Sequence, residues 1–248
     1  MSTAGLPRSA EQHPATGLLV RARPAVERML RRRWDVRLWQ TDRIPVSGPV
    51  VLAANHIGVL DGPALAVFTP RPVHALTKRE MFDSRAGTLL RRAGQIPVDR
   101  LNPDPAAVKS ALRVLRDGGV VGVFPEGTRG AGEFALYRHG AGYLALVTGA
   151  TVVPVTFFGT RPPGGASNAL PRRGDRLDIV YGEPWTVEKI DWPRTREHVD
   201  GVATLLRQHL RGEVDRARAL TGRELPGPLP DPESDPTPRT GSQSKEHP

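Results

Sequence analysis

A chain of 248 residues with 35 lysines and arginines against 26 acids carries a formal charge of +9, and it is long enough to bury a substantial core as one domain. The absence of cysteine excludes disulfides, cysteine nucleophiles and thiolate metal sites. So basic a chain calls for an acidic partner, yet aromatics are only 5% of the residues and do not interleave with the basic clusters as a nucleic-acid stacking platform requires, so anionic lipid headgroups fit better.

Residues 1–16 are small, polar and proline-containing, with no apolar run after a basic start, and are expected to be disordered and to carry no signal peptide. From Leu18 onward Leu19, Ala22, Val26, Met29 and Leu30 recur at helical spacing among Arg21, Arg23, Arg28, Arg31, Arg32 and Arg33, a basic amphipathic helix. Such a helix suits an anionic membrane surface, or else it packs on its own domain with a solvated basic face. A strand follows over 34–39, where Trp34, Val36 and Leu38 alternate with Asp35 and Arg37.

Further strands are predicted near 50–54, 73–77, 96–98, 120–124, 152–156 and 177–181, with helices at about 63–68, 80–93, 104–117 and 138–148 between them and a long one over 194–220. This alternation predicts an α/β fold, a single domain with a mostly parallel twisted sheet and helices on both faces. Residues 140–160 are charge-free and long enough to cross a bilayer of about 30 Å, but the glycines and Pro154 break them into a buried helix and strand. The Gly140-Ala141-Gly142 run has no clear strand ahead of it and reads as close helix packing, not as a dinucleotide fingerprint. Beyond Thr221 proline and acids dominate, so 221–248 is expected to be a disordered tail, and with two more acids than bases there the remainder carries +11.

Two loops carry chemistry. Asn55-His56-Ile57-Gly58-Val59-Leu60-Asp61 follows the apolar run 49–54 directly, placing a histidine and a carboxylate on a strand-to-helix turn. Five residues rotate a helix by about 500°, so His56 and Asp61 could not share a helix face, and the backbone must bend if Asp61 is to fix the imidazole tautomer and leave the other nitrogen as a base. By itself the pair also fits a turn histidine beside a capping aspartate. Phe124-Pro125-Glu126-Gly127-Thr128-Arg129-Gly130 likewise follows a strand, and its glycines, hydroxyl and guanidinium suit an anion, although a glycine turn with a solvated arginine would look the same.

Order and spacing separate these readings, because four blocks resemble the glycerolipid acyltransferase family, whose best-known members are 1-acyl-glycerol-3-phosphate acyltransferases. Asn55-His56 through Asp61 is similar to its Asn-His-x4-Asp block, Gly94-Gln95-Ile96-Pro97-Val98-Asp99-Arg100 to its second, Phe124 through Arg129 to its third, and Val152-Val153-Pro154-Val155 with Gly159-Thr160 to its fourth. The likeness spans roughly 34–185, and the third block is highly specific. One departure stands out: where family members usually have serine two residues after the histidine, this chain has Gly58.

The resemblance implies an acyltransferase domain over 17–220 that moves a fatty acyl group from acyl-CoA or acyl carrier protein to the free hydroxyl of lysophosphatidate, giving phosphatidate. No metal or other cofactor is implied. Catalysis falls to His56 and Asp61, and substrate binding to Lys78, Arg100, Glu126, Gly127, Thr128 and Arg129. The expected setting is cytoplasmic, peripheral to the anionic inner face of the cell membrane. Alternatives are another glycerol- or lysophospholipid acceptor, or a basic membrane-binding module without activity. A serine hydrolase lacks its nucleophile, since no Gly-x-Ser-x-Gly elbow occurs.

Overall fold

The computed structural model describes residues 8–230. In chain order the elements are α1 (Gly17–Arg21), α2 (Arg23–Arg33), β1 (Asp35–Trp39), β2 (Val50–Ala54), α3 (Asp61–Phe68), β3 (Val73–Lys78), α4 (Gly87–Arg92), β4 (Ile96–Val98), α5 (Pro105–Arg116), β5 (Val120–Val123), α6 (Gly140–Thr148), β6 (Thr151–Phe158), β7 (Arg176–Tyr181) and α7 (Arg196–Thr221). The strands form one seven-stranded sheet in the order β1-β7-β6-β2-β5-β3-β4, parallel throughout except for the antiparallel β6–β7 pair. The α/β reading with a mostly parallel sheet is what the structure has.

The period-two geometry of a strand sorts β2 between two cores. Val50, Leu52 and Ala54 join Leu30 of α2 and Leu65 and Phe68 of α3 on one face. Val51 and Ala53 meet Leu112 of α5, Leu144 of α6 and Leu206 and Leu210 of α7 on the other. Covered on both sides, all five β2 residues are buried, which explains why the segment reads as an unbroken apolar run rather than an alternation. After β2 the chain builds β3, β4 and β5 on one side, then returns past it to add β6 on the other. The carboxyl ends of β2 through β6 therefore share one edge, where α/β sheets place their sites.

Three segments depart from the sequence reading. The predicted helix over 80–93 is a 3₁₀ turn at Arg79–Asp83 followed by the short α4. Ser84 causes the break: its hydroxyl donates to the Met81 carbonyl and accepts from the Ala86 N–H, competing with the helix ladder. The basic N-terminal helix divides at Ala22, because Pro24 lacks the N–H that a helix interior needs and starts α2 instead. Leu30 is buried in the core, Arg23 donates to the Val67 and Pro70 carbonyls, and Arg31 to the Val36 carbonyl, so much of this helix is spent on its own domain.

The third difference concerns the terminal segments. Of the stretch read as disordered over 1–16, residues 8–16 lie against the domain: the Ala10 N–H donates to the Lys109 carbonyl and the His13 ring meets that of His74 edge-on at 5.0 Å. At the other end Leu225 packs against the core and Pro226 is buried, so 222–230 follows the surface of the domain. Residues 1–7 and 231–248 lie outside the described residues. No described helix is long and apolar enough to cross a membrane, residues 140–160 being α6 and β6 as expected.

Candidate active site

Asn55, one residue past β2, holds the start of the turn in place. Its side chain accepts from the Phe157 N–H at 2.7 Å and donates to the Phe157 carbonyl at 3.3 Å, tying the end of β2 to β6. His56 comes next, and from there the backbone bends as the spacing requires. Asp61, fully buried at the start of α3, lies with its Oδ2 2.8 Å from Nδ1 of His56. The same oxygen accepts the Ile57 N–H at 2.7 Å and the Gly58 N–H at 2.8 Å, while Oδ1 accepts the Thr160 hydroxyl at 2.5 Å. Asp61 is thus both the cap of its turn and the partner of the histidine.

These bonds decide the tautomer. Because two backbone N–H groups already donate to Oδ2, that oxygen is an acceptor, so Nδ1 of His56 carries its proton toward Asp61 and Nε2 is the bare nitrogen. The imidazole stacks on Phe124 with ring centroids 4.3 Å apart, and its side chain keeps 18% exposure. A bare, partly accessible nitrogen on a ring locked from two sides is the arrangement a general base needs.

Glu126 supports this turn from beneath. Its Oε1 accepts the His56 N–H at 2.9 Å, and the carboxyl also takes the backbone N–H groups of Gly132 and Phe134. Burial pushes its pKa up to about 7, helped by the nearby Asp61 charge and opposed by those three amides. Grouped with the substrate-binding residues in the sequence reading, Glu126 has its carboxyl turned inward, where it joins the third block to the first. A second link runs from the Gly130 N–H to the His56 carbonyl at 2.8 Å.

The cationic side is built from neighbouring strand ends. Arg100, two residues past β4, donates through Nη1 to the Gly127 carbonyl at 2.7 Å. Gly127 adopts a positive φ of 71°, and a Cβ there would run into the Arg138 side chain, so only glycine lets that arginine lie over the loop. Arg138 donates to the Arg100 carbonyl at 2.7 Å. Arg129 and Thr128 are half-buried on the same turn, and the buried Nε of Arg129 has no hydrogen-bond partner among the described residues. Lys78 ends β3 in register with Val98, two residues ahead of Arg100.

Sequence reasoning left out Arg138 and Arg161 and gave Asn55 and Thr160 no role. Arg161 is buried and donates to the carbonyls of Gly130, Gly165 and Gly227, bracing the third block. Burial lowers its pKa, with the Asp61 charge acting the other way. Arg138 and Arg161 lie outside all four motif blocks and carry no local pattern that would have marked them. Thr160 closes the fourth block, and the missing side chain at Gly58 was the available hint.

The acyltransferase family model matches residues 35–158, half of the chain. This chain belongs to the acyltransferase family. The acyltransferase is 29% identical over 189 residues to the 1-acyl-sn-glycerol-3-phosphate acyltransferase of Bacillus subtilis, covering 75% of this chain and 92% of that one. It is 27% identical to the protein of the same description from Streptococcus pneumoniae, over 76% of this chain and 70% of the relative. The crystal structure of the 1-acyl-sn-glycerophosphate (LPA) acyltransferase PlsC from Thermotoga maritima shares its fold, with a TM-score of 0.61 at 21% identity over 83% of this chain and 81% of that one.

Proposed function

We propose that this acyltransferase transfers a fatty acyl group from an acyl thioester, carried by coenzyme A or acyl carrier protein, to the free hydroxyl of lysophosphatidate, giving phosphatidate for phospholipid synthesis. The observation that carries the reading is the 2.8 Å bond from His56 Nδ1 to a fully buried Asp61, which leaves Nε2 as the base. Nε2 takes the acceptor hydroxyl's proton while the oxygen attacks the thioester carbonyl. The carbon–oxygen bond forms, the carbon–sulfur bond breaks, and the imidazolium returns its proton to the departing thiolate. Asp61 holds the ring and stabilises the imidazolium, and no acyl-enzyme and no resident cofactor enters the scheme.

Arg100 and Arg129, with Lys78, hold the acceptor phosphate, and Gly127 and Thr128 shape the loop that brings it beside His56; Glu126 contributes by holding that loop. The enzyme works as a cytoplasmic protein bound peripherally to the anionic inner face of the cell membrane. Support comes from the charge of +9 and from Arg28, Arg32 and Met29, which stay exposed on α2. Thiol release from acyl-CoA, followed with and without lysophosphatidate, tests the reading. Release that requires the acceptor and matches phosphatidate formed is the expected result. Release without acceptor would make the protein a thioesterase, and none in either case a binding module.

A further inference from the structure

Gly58 and Thr160 explain one another. After β6 the chain turns back at Gly159, whose φ of 79° is one that glycine adopts without strain, and drops Thr160 onto the turn that follows β2. There the Thr160 carbonyl oxygen comes within 2.8 Å of where a Cβ on residue 58 would stand, and the Arg161 Cβ within 3.2 Å. Any side chain at 58 would push the 160–161 segment away. With glycine the approach is allowed, and the Thr160 hydroxyl, fully buried, reaches Asp61 Oδ1 at 2.5 Å, the length of a strong hydrogen bond to a carboxylate.

We infer that Thr160 is a positioning residue for catalysis: its hydroxyl fixes the Asp61 carboxylate that orients His56, the turn from Asn55 to Asp61 carrying no side-chain hydroxyl of its own. The inference rests on the proposed role of the His56–Asp61 pair. Asp61 Oδ2 is held by His56 and two backbone amides, but Oδ1 has only Thr160 as its hydrogen-bond partner among the described residues. Without that hydroxyl the carboxylate keeps its site but loses its rotational anchor, and the histidine's orientation loosens with it. Thr160 touches no reacting atom, so the effect belongs in turnover and not in substrate affinity.

The test is steady-state kinetics of acyl transfer to lysophosphatidate with Thr160→Val, Thr160→Ala, Thr160→Ser and Gly58→Ala, with thermal unfolding confirming that each is folded. Thr160→Val or Thr160→Ala should lower kcat about 10- to 100-fold, the worth of one hydrogen bond to a charged group, with both KM values within about 2-fold. Thr160→Ser should restore most of the rate. Gly58→Ala, which keeps the threonine but displaces it, should lose kcat as well. In an Asp61→Asn background Thr160→Val should cost less than about 3-fold, because the two act as one unit. Should neither hydroxyl-free variant fold, Thr160→Ser and Gly58→Ala still decide: a dead serine variant or an unimpaired alanine at 58 overturns the proposal. A folded Thr160→Val with wild-type kcat, or an effect that adds fully to Asp61→Asn, also overturns it. If instead His56→Ala keeps its activity, the reading of the pair has failed, an outcome distinct from loss of the Thr160 role alone.

Discussion

Asp61 is enclosed and receives hydrogen bonds from His56, Ile57, Gly58 and Thr160, whereas Arg129, on the cationic side of the same edge, is half-buried with an Nε that bonds to nothing described. Arg100 and Arg138 fall between these extremes, each donating to a loop carbonyl. The contrast follows from what each side has to do. A base must be aimed before the substrate arrives, since an angular error in a proton transfer is costly, and aim comes from burial and from several donors on one acceptor. Under the proposed function a phosphate grip needs charge and donors that can still turn toward the ligand, and a half-buried arginine keeps both.

The largest effect that could break this comparison is at His56. His56→Ala should lower the transfer rate by about 10² to 10⁴ with the fold intact, and Asp61→Asn should also damage turnover, because the Nδ1 proton loses its anionic acceptor. Near-normal turnover in a single-turnover assay of His56→Ala would remove the acid–base scheme. On the cationic side the expectation is different in kind. Arg129→Ala should raise the acceptor KM by about 10-fold or more, with the donor KM little changed, and Arg129→Lys should rescue only in part. A rise in donor KM instead would assign the held phosphate to coenzyme A or the carrier protein.

Glu126 sharpens the comparison because it belongs to the buried side yet titrates near neutrality. Its carboxyl, raised to about 7 from 4.5, binds its proton more tightly folded than unfolded, so its contribution to stability is complete below pH 4.5 and is lost as pH rises through 7. Between pH 5 and 8 the wild type should therefore lose about 2 to 3 kcal/mol through this group. Glu126→Gln should lack that slope in denaturant unfolding, whatever its stability at one pH. Parallel curves for the two proteins would show a carboxyl that stays ionised throughout.

The smallest expected effect lies in the C-terminal segment. Removing 231–248 leaves in place Leu225 and the Gly227 carbonyl that Arg161 holds, and should change neither activity nor melting temperature. Removing 222–248 takes both away and should cost about 1 to 3 kcal/mol, seen as a lower melting temperature, together with some loss of kcat through the Gly130 loop. Equal melting temperatures for the two truncations would mean that the 222–230 contacts add nothing.

Much of this molecule was readable in one dimension because its determinants are local. A strand covered on both faces must be apolar throughout, so Val50–Ala54 and Val120–Val123 stand out, and the candidate site residues follow them directly in the chain. His56, Asp61, Glu126 and Arg129 were singled out for that reason. The break at Ser84 was missed because a hydroxyl competing with the backbone looks, in sequence, like any serine in a helix. What only the tertiary structure decided are the contacts between segments far apart in the chain: Thr160 on Asp61, Arg161 bracing Gly130 and Gly227, Arg138 over Gly127, and the inward turn of Glu126. No local pattern encodes these, because each depends on where the sheet brings together the carboxyl ends of strands that are distant in sequence. Gly58 shows the limit most plainly: in the sequence it is a glycine in a turn, and in the fold it is the space that lets a threonine 102 residues away bring its hydroxyl to Asp61.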